Sequence, residues 1–166
     1  MQIAIFTTGG TIDKVYFDAK GNYHVGAPMV RELLVHARLG EIPEITELLR
    51  KDSLEMTDAD RRTILESIEQ MLAERSPFVI THGTDTMVQT GLYLQQALPE
   101  LKVPIVLTGA MTPLGFEGSD GLQNLTESLF AVRILDPGIY VVMHNQAFPI
   151  DRVRKERETS RFVWID

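Results

Sequence analysis

Pro77-Phe78-Val79-Ile80-Thr81-His82-Gly83-Thr84-Asp85-Thr86 is the stretch on which the fold turns. Pro77 to Thr81 is a short apolar run, the pattern of a strand buried in a sheet core. His82, Gly83 and the threonines then break it. Met87, Val88, Leu92, Leu94 and Leu98 follow on a helix that starts near Thr84. An earlier stretch repeats the arrangement. Gln2 to Thr7 reads as a first strand, ending in Thr7-Thr8-Gly9-Gly10-Thr11. If both strands lie in one parallel sheet, the two threonine loops open on the same edge, where open α/β sheets bind ligands.

The same alternation extends outward in both directions. Asp13 to Gly26 is polar and mixed, with Gly21-Asn22 as a turn signal, and predicts a loop or loose hairpin of the length of a functional lid. Pro28 to Leu39 predicts a helix stopped at Gly40, and Ile42 to Leu49 a strand. Thr57-Asp58-Ala59-Asp60 is a capping-box-like start to a helix carrying Ile64, Leu65, Ile68, Met71 and Leu72. Val103 to Leu107 predicts a strand, Gly109 to Gly121 a long loop, Leu122 to Leu135 a helix and Ile139 to Met143 a last core strand. From Pro149 the tail is highly charged, then closes on Phe162-Val163-Trp164-Ile165. The expected fold is α/β, a doubly wound, mostly parallel sheet with helices on both faces. The 166 residues are expected to form a single domain, 1–166.

Composition narrows the function. Hydrophobic content of 44% and charged content of 23% are those of a soluble globular protein. A net charge of −7 argues against nucleic acid or an anionic membrane as partner, but not against a small zwitterion, which feels the local field. With no cysteine there is no disulfide framework, thiolate metal site or cysteine nucleophile, so Cys-His amide hydrolysis is excluded. The N-terminus reads as a strand rather than a signal peptide, and no apolar run approaches the ~18 residues of a membrane helix. A cytoplasmic location is expected.

Each threonine loop has an ordinary explanation when taken alone. Gly9-Gly10 with Thr11 suits a turn, and Thr84 or Asp85 suits a helix N-cap. No phosphate-loop or dinucleotide fingerprint is present. Together the two loops suit acyl transfer. A threonine hydroxyl is a weak nucleophile that needs a base and an oxyanion stabiliser nearby. Tyr16, Tyr23 and Lys155 are candidates for assisting it, and the residues alone do not choose among them. His82, near neutrality when unperturbed, is the first place to look for a general base.

Thr8-Gly9-Gly10-Thr11-Ile12 followed by His82-Gly83-Thr84-Asp85-Thr86 resembles the bacterial-type L-asparaginases. Asp52 to Met56, Gly21 to Gly26, Leu107 to Met111 with Pro113, and Asp151 to Lys155 resemble further segments of that family, so the likeness covers nearly the whole chain. The resemblance implies that Thr11 attacks the side-chain amide carbon of L-asparagine and that Tyr23, on the lid, helps accept or orient its proton. It implies that Thr84, Lys155 and Asp85 form a second catalytic group. Gly10, Ser53, Thr84 and Asp85 would bind substrate, with Ser53 on the α-carboxylate, Asp85 on the ammonium and the N–H groups of Thr11 and Thr84 in the oxyanion hole. No metal and no organic cofactor is implied. An amidotransferase subunit and an amino-acid-binding sensor on the same scaffold are the alternatives.

The resemblance is to the N-terminal domain of enzymes that carry a second domain, and to their shorter, single-domain relatives. In the longer enzymes a neighbouring subunit's C-terminal domain closes the site. The expectation here is a homo-oligomer, dimer or tetramer, in which another copy closes it. The terminal apolar cluster is a candidate interface or a piece of the chain's own core. Leu54 and Asp13 depart from the family's usual residues. They lead to an expected KM toward the upper end of the usual ~1 μM–1 mM range, or above it, and to low glutaminase activity at most.

Overall fold

The computed structural model describes residues 2–17, 21–37, 39–72 and 76–165. Its frame is a six-stranded sheet whose strands run along the chain as follows: β1 (Ala4–Gly9), β4 (Glu44–Lys51), β5 (Phe78–Thr81), β6 (Pro104–Thr108), β7 (Gly138–Met143) and β8 (Gln146–Pro149). Their spatial order is β4-β1-β5-β6-β7-β8. All neighbours are parallel except β7 and β8. The parallel strands can be joined only by crossovers, and α2 (Asp58–Leu72), α3 (Met87–Ala97) and α4 (Gly121–Ala131) supply three of them. The fourth, from β1 to β4, contains α1 (Val30–His36).

Both faces of the sheet are buried along its central strands β1, β5 and β6, as their unbroken apolar runs require. Phe6, Phe78, Ile80, Ile105, Leu107 and Val141 pack toward Ile64 and Ile68 of α2 and Met87 and Leu94 of α3. The alternate residues Ile5, Val79, Val106 and Val142 pack toward Val30, Leu33 and Leu34 of α1 and Leu125 and Leu129 of α4. The sheet is therefore doubly wound, with α2 and α3 on one face and α1 and α4 on the other. The capping box of α2 is formed. The Asp60 carboxylate accepts the N–H and hydroxyl of Thr57, each at 2.8 Å, and the Thr57 hydroxyl accepts the Asp60 N–H at 3.3 Å.

The lid segment is a hairpin rather than an open loop. β2 (Lys14–Phe17) pairs antiparallel with β3 (Asn22–Val25), and of the residues connecting them 18–20 lie outside the described region. β8 follows the strand expected to be the last of the core and forms the sheet edge, and the charged tail adds a second hairpin, β9 (Val153–Glu156) with β10 (Arg161–Trp164). Two apolar contacts hold this region down. Phe162, directly across the ladder from Lys155, is buried, and Ile150 packs on α3 at Gly91, where a Cβ would lie 2.3 Å from its Cδ1. The terminal cluster is thus divided. Phe162 belongs to the core, whereas Trp164 and Ile165 are exposed, the Trp164 ring resting 4.9 Å from Phe148.

Candidate active site

In an open parallel sheet the ligand crevice forms at the carboxyl ends of the strands where the strand order reverses. Here the chain leaves β1 toward β4 on one side and returns to β5 on the other. The reversal therefore falls between β1 and β5, and the two threonine loops leave these two strands.

Their backbones touch. Gly10, at φ 91°, lies so close to the other loop that a Cβ there would be 2.4 Å from both the N and Cα of Gly83. A Cβ on Gly83 would be 2.5 Å from the Cβ and Oγ of Ser53, and one on Gly109 would be 2.4 Å from the His82 carbonyl oxygen. Only glycine fits these approaches, and only glycine takes the Gly10 conformation without strain. The contact is reinforced by the Thr8 hydroxyl, which donates to the Thr81 carbonyl at 2.9 Å, and by the Gly10 N–H, which donates to the Lys51 carbonyl at 2.9 Å. Thr11 opens a single 3-10 turn, Thr11–Asp13, and is half-buried.

The second loop does not cap its helix with the expected residues. α3 begins at Met87 with Thr86 as N-cap, and no side-chain bond caps it. The Thr86 hydroxyl donates instead to the Ser53 carbonyl at 2.8 Å. Thr84 and Asp85 meet Lys155, whose Nζ donates to Thr84 Oγ1 at 2.7 Å and to Asp85 Oδ1 at 2.9 Å. These bonds join residues 71 and 70 positions apart. Lys155 reaches them because Ile150 is docked on α3 and because Phe162 fixes the opposite strand of its hairpin.

Ser53 lies in a 3-10 turn, Ser53–Glu55, capped by the Asp52 carboxylate, which accepts the Leu54 N–H at 3.1 Å. Its side chain is 1% exposed, pressed against Gly83. Tyr23 is 46% exposed on β3. Its ring centre is 5.3 Å from Tyr16 and 5.6 Å from Phe116, the latter on the loop after β6. The structure thus brings Gly10, Ser53, Thr84, Asp85 and Lys155 into one contiguous set beside Thr11. Tyr23 stands on the hairpin that flanks it, and its hydroxyl and that of Thr11 have no hydrogen-bond partner among the described residues.

His82 is not a base for this site. It is fully buried, with Nδ1 2.8 Å from the Gly83 carbonyl oxygen and Nε2 2.9 Å from Thr90 Oγ1 and 3.0 Å from Met56 Sδ. Burial, aided by the Arg61 charge, drives its pKa down to about 4, so the ring is neutral near pH 7. It serves as a hydrogen-bonded brace under the Gly83 turn.

Two charged contacts escaped the sequence reading, because they join positions with no local pattern. Lys14 of the hairpin lies 2.6 Å from the Asp52 carboxylate. Burial alone would raise the Asp52 carboxyl, but Lys14, the Leu54 N–H and the field of Lys155 hold it below the usual range. Asp120 gathers the loop after β6. It accepts from the N–H groups of Met111 and Thr112 at 3.0 Å, from Asn124 at 2.8 Å and lies 2.8 Å from His144 Nε2. A cleft of about 300 Å³ lies along the hairpin, lined by Lys14, Tyr23, Arg50, Asp52 and Glu55 among others. A larger one, about 520 Å³, lies at the opposite end of the strands, around Leu98 to Val103. It lacks the convergent hydroxyls and amine of the first edge. Among the described residues no group of His, Asp and Glu is arranged to hold a metal ion, and no helix is long and apolar enough to cross a membrane.

Fold and site together define a doubly wound α/β domain with two hydroxyl-bearing glycine loops at its switch point. Residues 2–163 match the family model described as Asparaginase, N-terminal, and the chain belongs to that family. It is 31% identical over 156 residues to the L-asparaginase of Thermococcus kodakarensis, covering 93% of this chain and 48% of that protein. It is 35% identical over 136 residues to L-asparaginase 1 of Escherichia coli K12, covering 78% of this chain and 39% of that one. A solved structure of the Thermococcus enzyme superposes with a TM-score of 0.84 at 30% identity, over 99% of this chain and 51% of that one. The chain spans about half the length of the Thermococcus relative, and less of the E. coli one.

Proposed function

We propose that this domain hydrolyses the side-chain amide of L-asparagine to L-aspartate and ammonia. The observation that carries the reading is the Lys155 amine held between Thr84 and Asp85, on a loop in backbone contact with the loop of Thr11. A hydroxyl tied to an amine and a carboxylate, on a loop that touches the loop of a second hydroxyl through two glycines, suits acyl transfer at a carboxamide. It has no evident use in binding alone.

The steps follow from that arrangement. Thr11 Oγ1 bonds to the amide carbon, with Tyr23 on the lid accepting or orienting its proton. The N–H groups of Thr11 and Thr84 stabilise the oxyanion. The C–N bond breaks, ammonia leaves with that proton, and an ester to Thr11 remains. Water then attacks the ester. Its proton returns to Thr11 and aspartate is released. Thr84, held by Lys155, is placed to relay protons in both halves. Ser53 binds the α-carboxylate and Asp85 the ammonium, with Gly10 beside them in the substrate-binding set. No metal or organic cofactor takes part.

A cytoplasmic homo-oligomer, dimer or tetramer, completes the reading. The exposed Trp164 and Ile165 supply apolar surface for a second copy, and one similar solved structure is that of a probable cytoplasmic L-asparaginase from Campylobacter jejuni. The test is ammonia release from L-asparagine by the wild type and by Thr11→Ala. Turnover that disappears in the variant supports the reading. Equal rates would remove Thr11 as nucleophile, and tight aspartate or asparagine binding without turnover would favour a sensor.

A further inference from the structure

Asp13 is a carboxylate with no exposure to solvent, two residues after Thr11 and at the foot of the hairpin. Each of its polar groups holds a different piece of backbone. Its N–H donates to the Gly10 carbonyl at 3.1 Å, closing the turn that begins with Thr11. Its carbonyl accepts the Gly26 N–H at 2.7 Å, just past the end of β3. Its carboxylate Oδ1 accepts the Met29 N–H at 2.9 Å, at the entry to α1. The other oxygen, Oδ2, has no hydrogen-bond partner among the described residues. Burying a carboxylate with one bare oxygen is costly. Burial and Glu47 push the group up to about 6, against the Met29 N–H and Arg50. A packing role would be met at lower cost by an apolar side chain, which could not accept the Met29 N–H.

We propose that Asp13 is a positioning residue that clamps the foot of the lid hairpin and the entry of α1 to the turn carrying Thr11, so that Tyr23 and Thr11 move as one unit. The clamp acts through Thr11 and Tyr23 and touches neither substrate nor reacting atoms. The inference rests on the reading of those two residues given above. Ser53, Thr84, Asp85 and Lys155 are held by contacts that do not involve Asp13.

The experiment compares Asp13→Ala and Asp13→Asn with the wild type in steady-state asparagine hydrolysis and in hydrogen–deuterium exchange. Asp13→Ala is expected to raise exchange over residues 21–29 by roughly tenfold, with residues 87–97 unchanged, and to lower kcat roughly tenfold at a KM within about twofold. Asp13→Asn keeps an acceptor oxygen for the Met29 N–H and recovers most of both losses. In an Asp13→Ala background, Tyr23→Phe costs less than it does alone, because the two act through one element. Unchanged exchange over 21–29 in Asp13→Ala overturns the clamp. So does an Asp13→Asn variant no better than Asp13→Ala, or a strictly additive pair with Tyr23→Phe. A wild type with no asparagine turnover would instead remove the proposed function, and the exchange data would still decide the clamp.

Discussion

The Nζ of Lys155 lies 2.7 Å from the hydroxyl of Thr84, joining the hairpin after the last strand of the sheet to the first turn after its central strand. Asp85 shares the same amine at 2.9 Å. Replacing Lys155 by methionine keeps the apolar stem and removes only the charged donor. The expected result is a loss of about 10²–10⁴ in kcat, with the far-ultraviolet circular dichroism unchanged. A rate within tenfold of wild type would show that the amine is structural.

Gly10→Ala tests the contact between the loops. A methyl group there would meet the main chain of Gly83 at 2.4 Å, from a φ of 91° that alanine avoids. Neither side can yield by changing a rotamer. A destabilisation of about 2 kcal/mol or more is expected, read from urea unfolding, with activity lost out of proportion to stability. Wild-type stability in the variant would mean that the loops part easily.

Lys14 and Asp52 link the hairpin to the turn of Ser53 at 2.6 Å, with side chains 28% and 29% exposed. A pair this exposed is screened by salt, so its coupling is expected to be only about 0.5–1 kcal/mol. A double-mutant cycle on KM, run at low salt and again at 1 M salt, should show the coupling in the first case and little in the second. Coupling that persists at high salt would argue for a packing contact.

Asp13 and His82 give stability opposite slopes with pH. The Asp13 carboxyl is raised in the fold to about 6 from an ordinary 3.8. The fold therefore binds the extra proton between those values, and its burial penalty is absent below the lower one and complete above the upper one. Asp13→Asn should gain stability relative to wild type as pH rises from 4 to 7, by about 2–3 kcal/mol at most. His82 is lowered to about 4 from 6.5, so the unfolded chain binds the extra proton and wild-type stability is lost as pH falls through that window. His82→Gln should flatten that loss. Urea midpoints at four or five pH values decide both. A flat difference curve for either variant would refute the assigned titration.

β1, β5 and β6 were legible because each is an apolar run closed by a glycine or threonine break and buried on both faces, and β7 is likewise an apolar run, whereas in β4 Glu44, Glu47, Arg50 and Lys51 interrupt the apolar residues at the sheet edge. The capping box at Thr57 was legible for the same local reason. What the residues hid was of two kinds. β8 and the β9–β10 hairpin are short and at the periphery, with Pro149 and charged residues where a core strand would be apolar, so only Phe148, Val153 and Phe162 betray them. The second kind is diversion. Thr84 and Asp85 are good helix caps by local chemistry, yet Lys155, far along the chain, engages both, and α3 starts three residues late with no side-chain cap. His82 misled in the opposite sense. Its unperturbed pKa suggested a base, and only the surrounding Met56 and Thr90 reveal a buried brace.

The meeting of Gly10 and Gly83 limits how the site can be varied as well as how it packs. The spacing between the two hydroxyl-bearing loops is set by main-chain atoms and carries no torsional freedom of side chains. The two loops therefore keep a fixed separation whatever rotamers their side chains adopt, and the contacts of Asp13 carry that fixed frame to the foot of the hairpin. Improving such a site by varying residues 10 or 83 would face a landscape with a single viable amino acid at each, and gains must come from the lid.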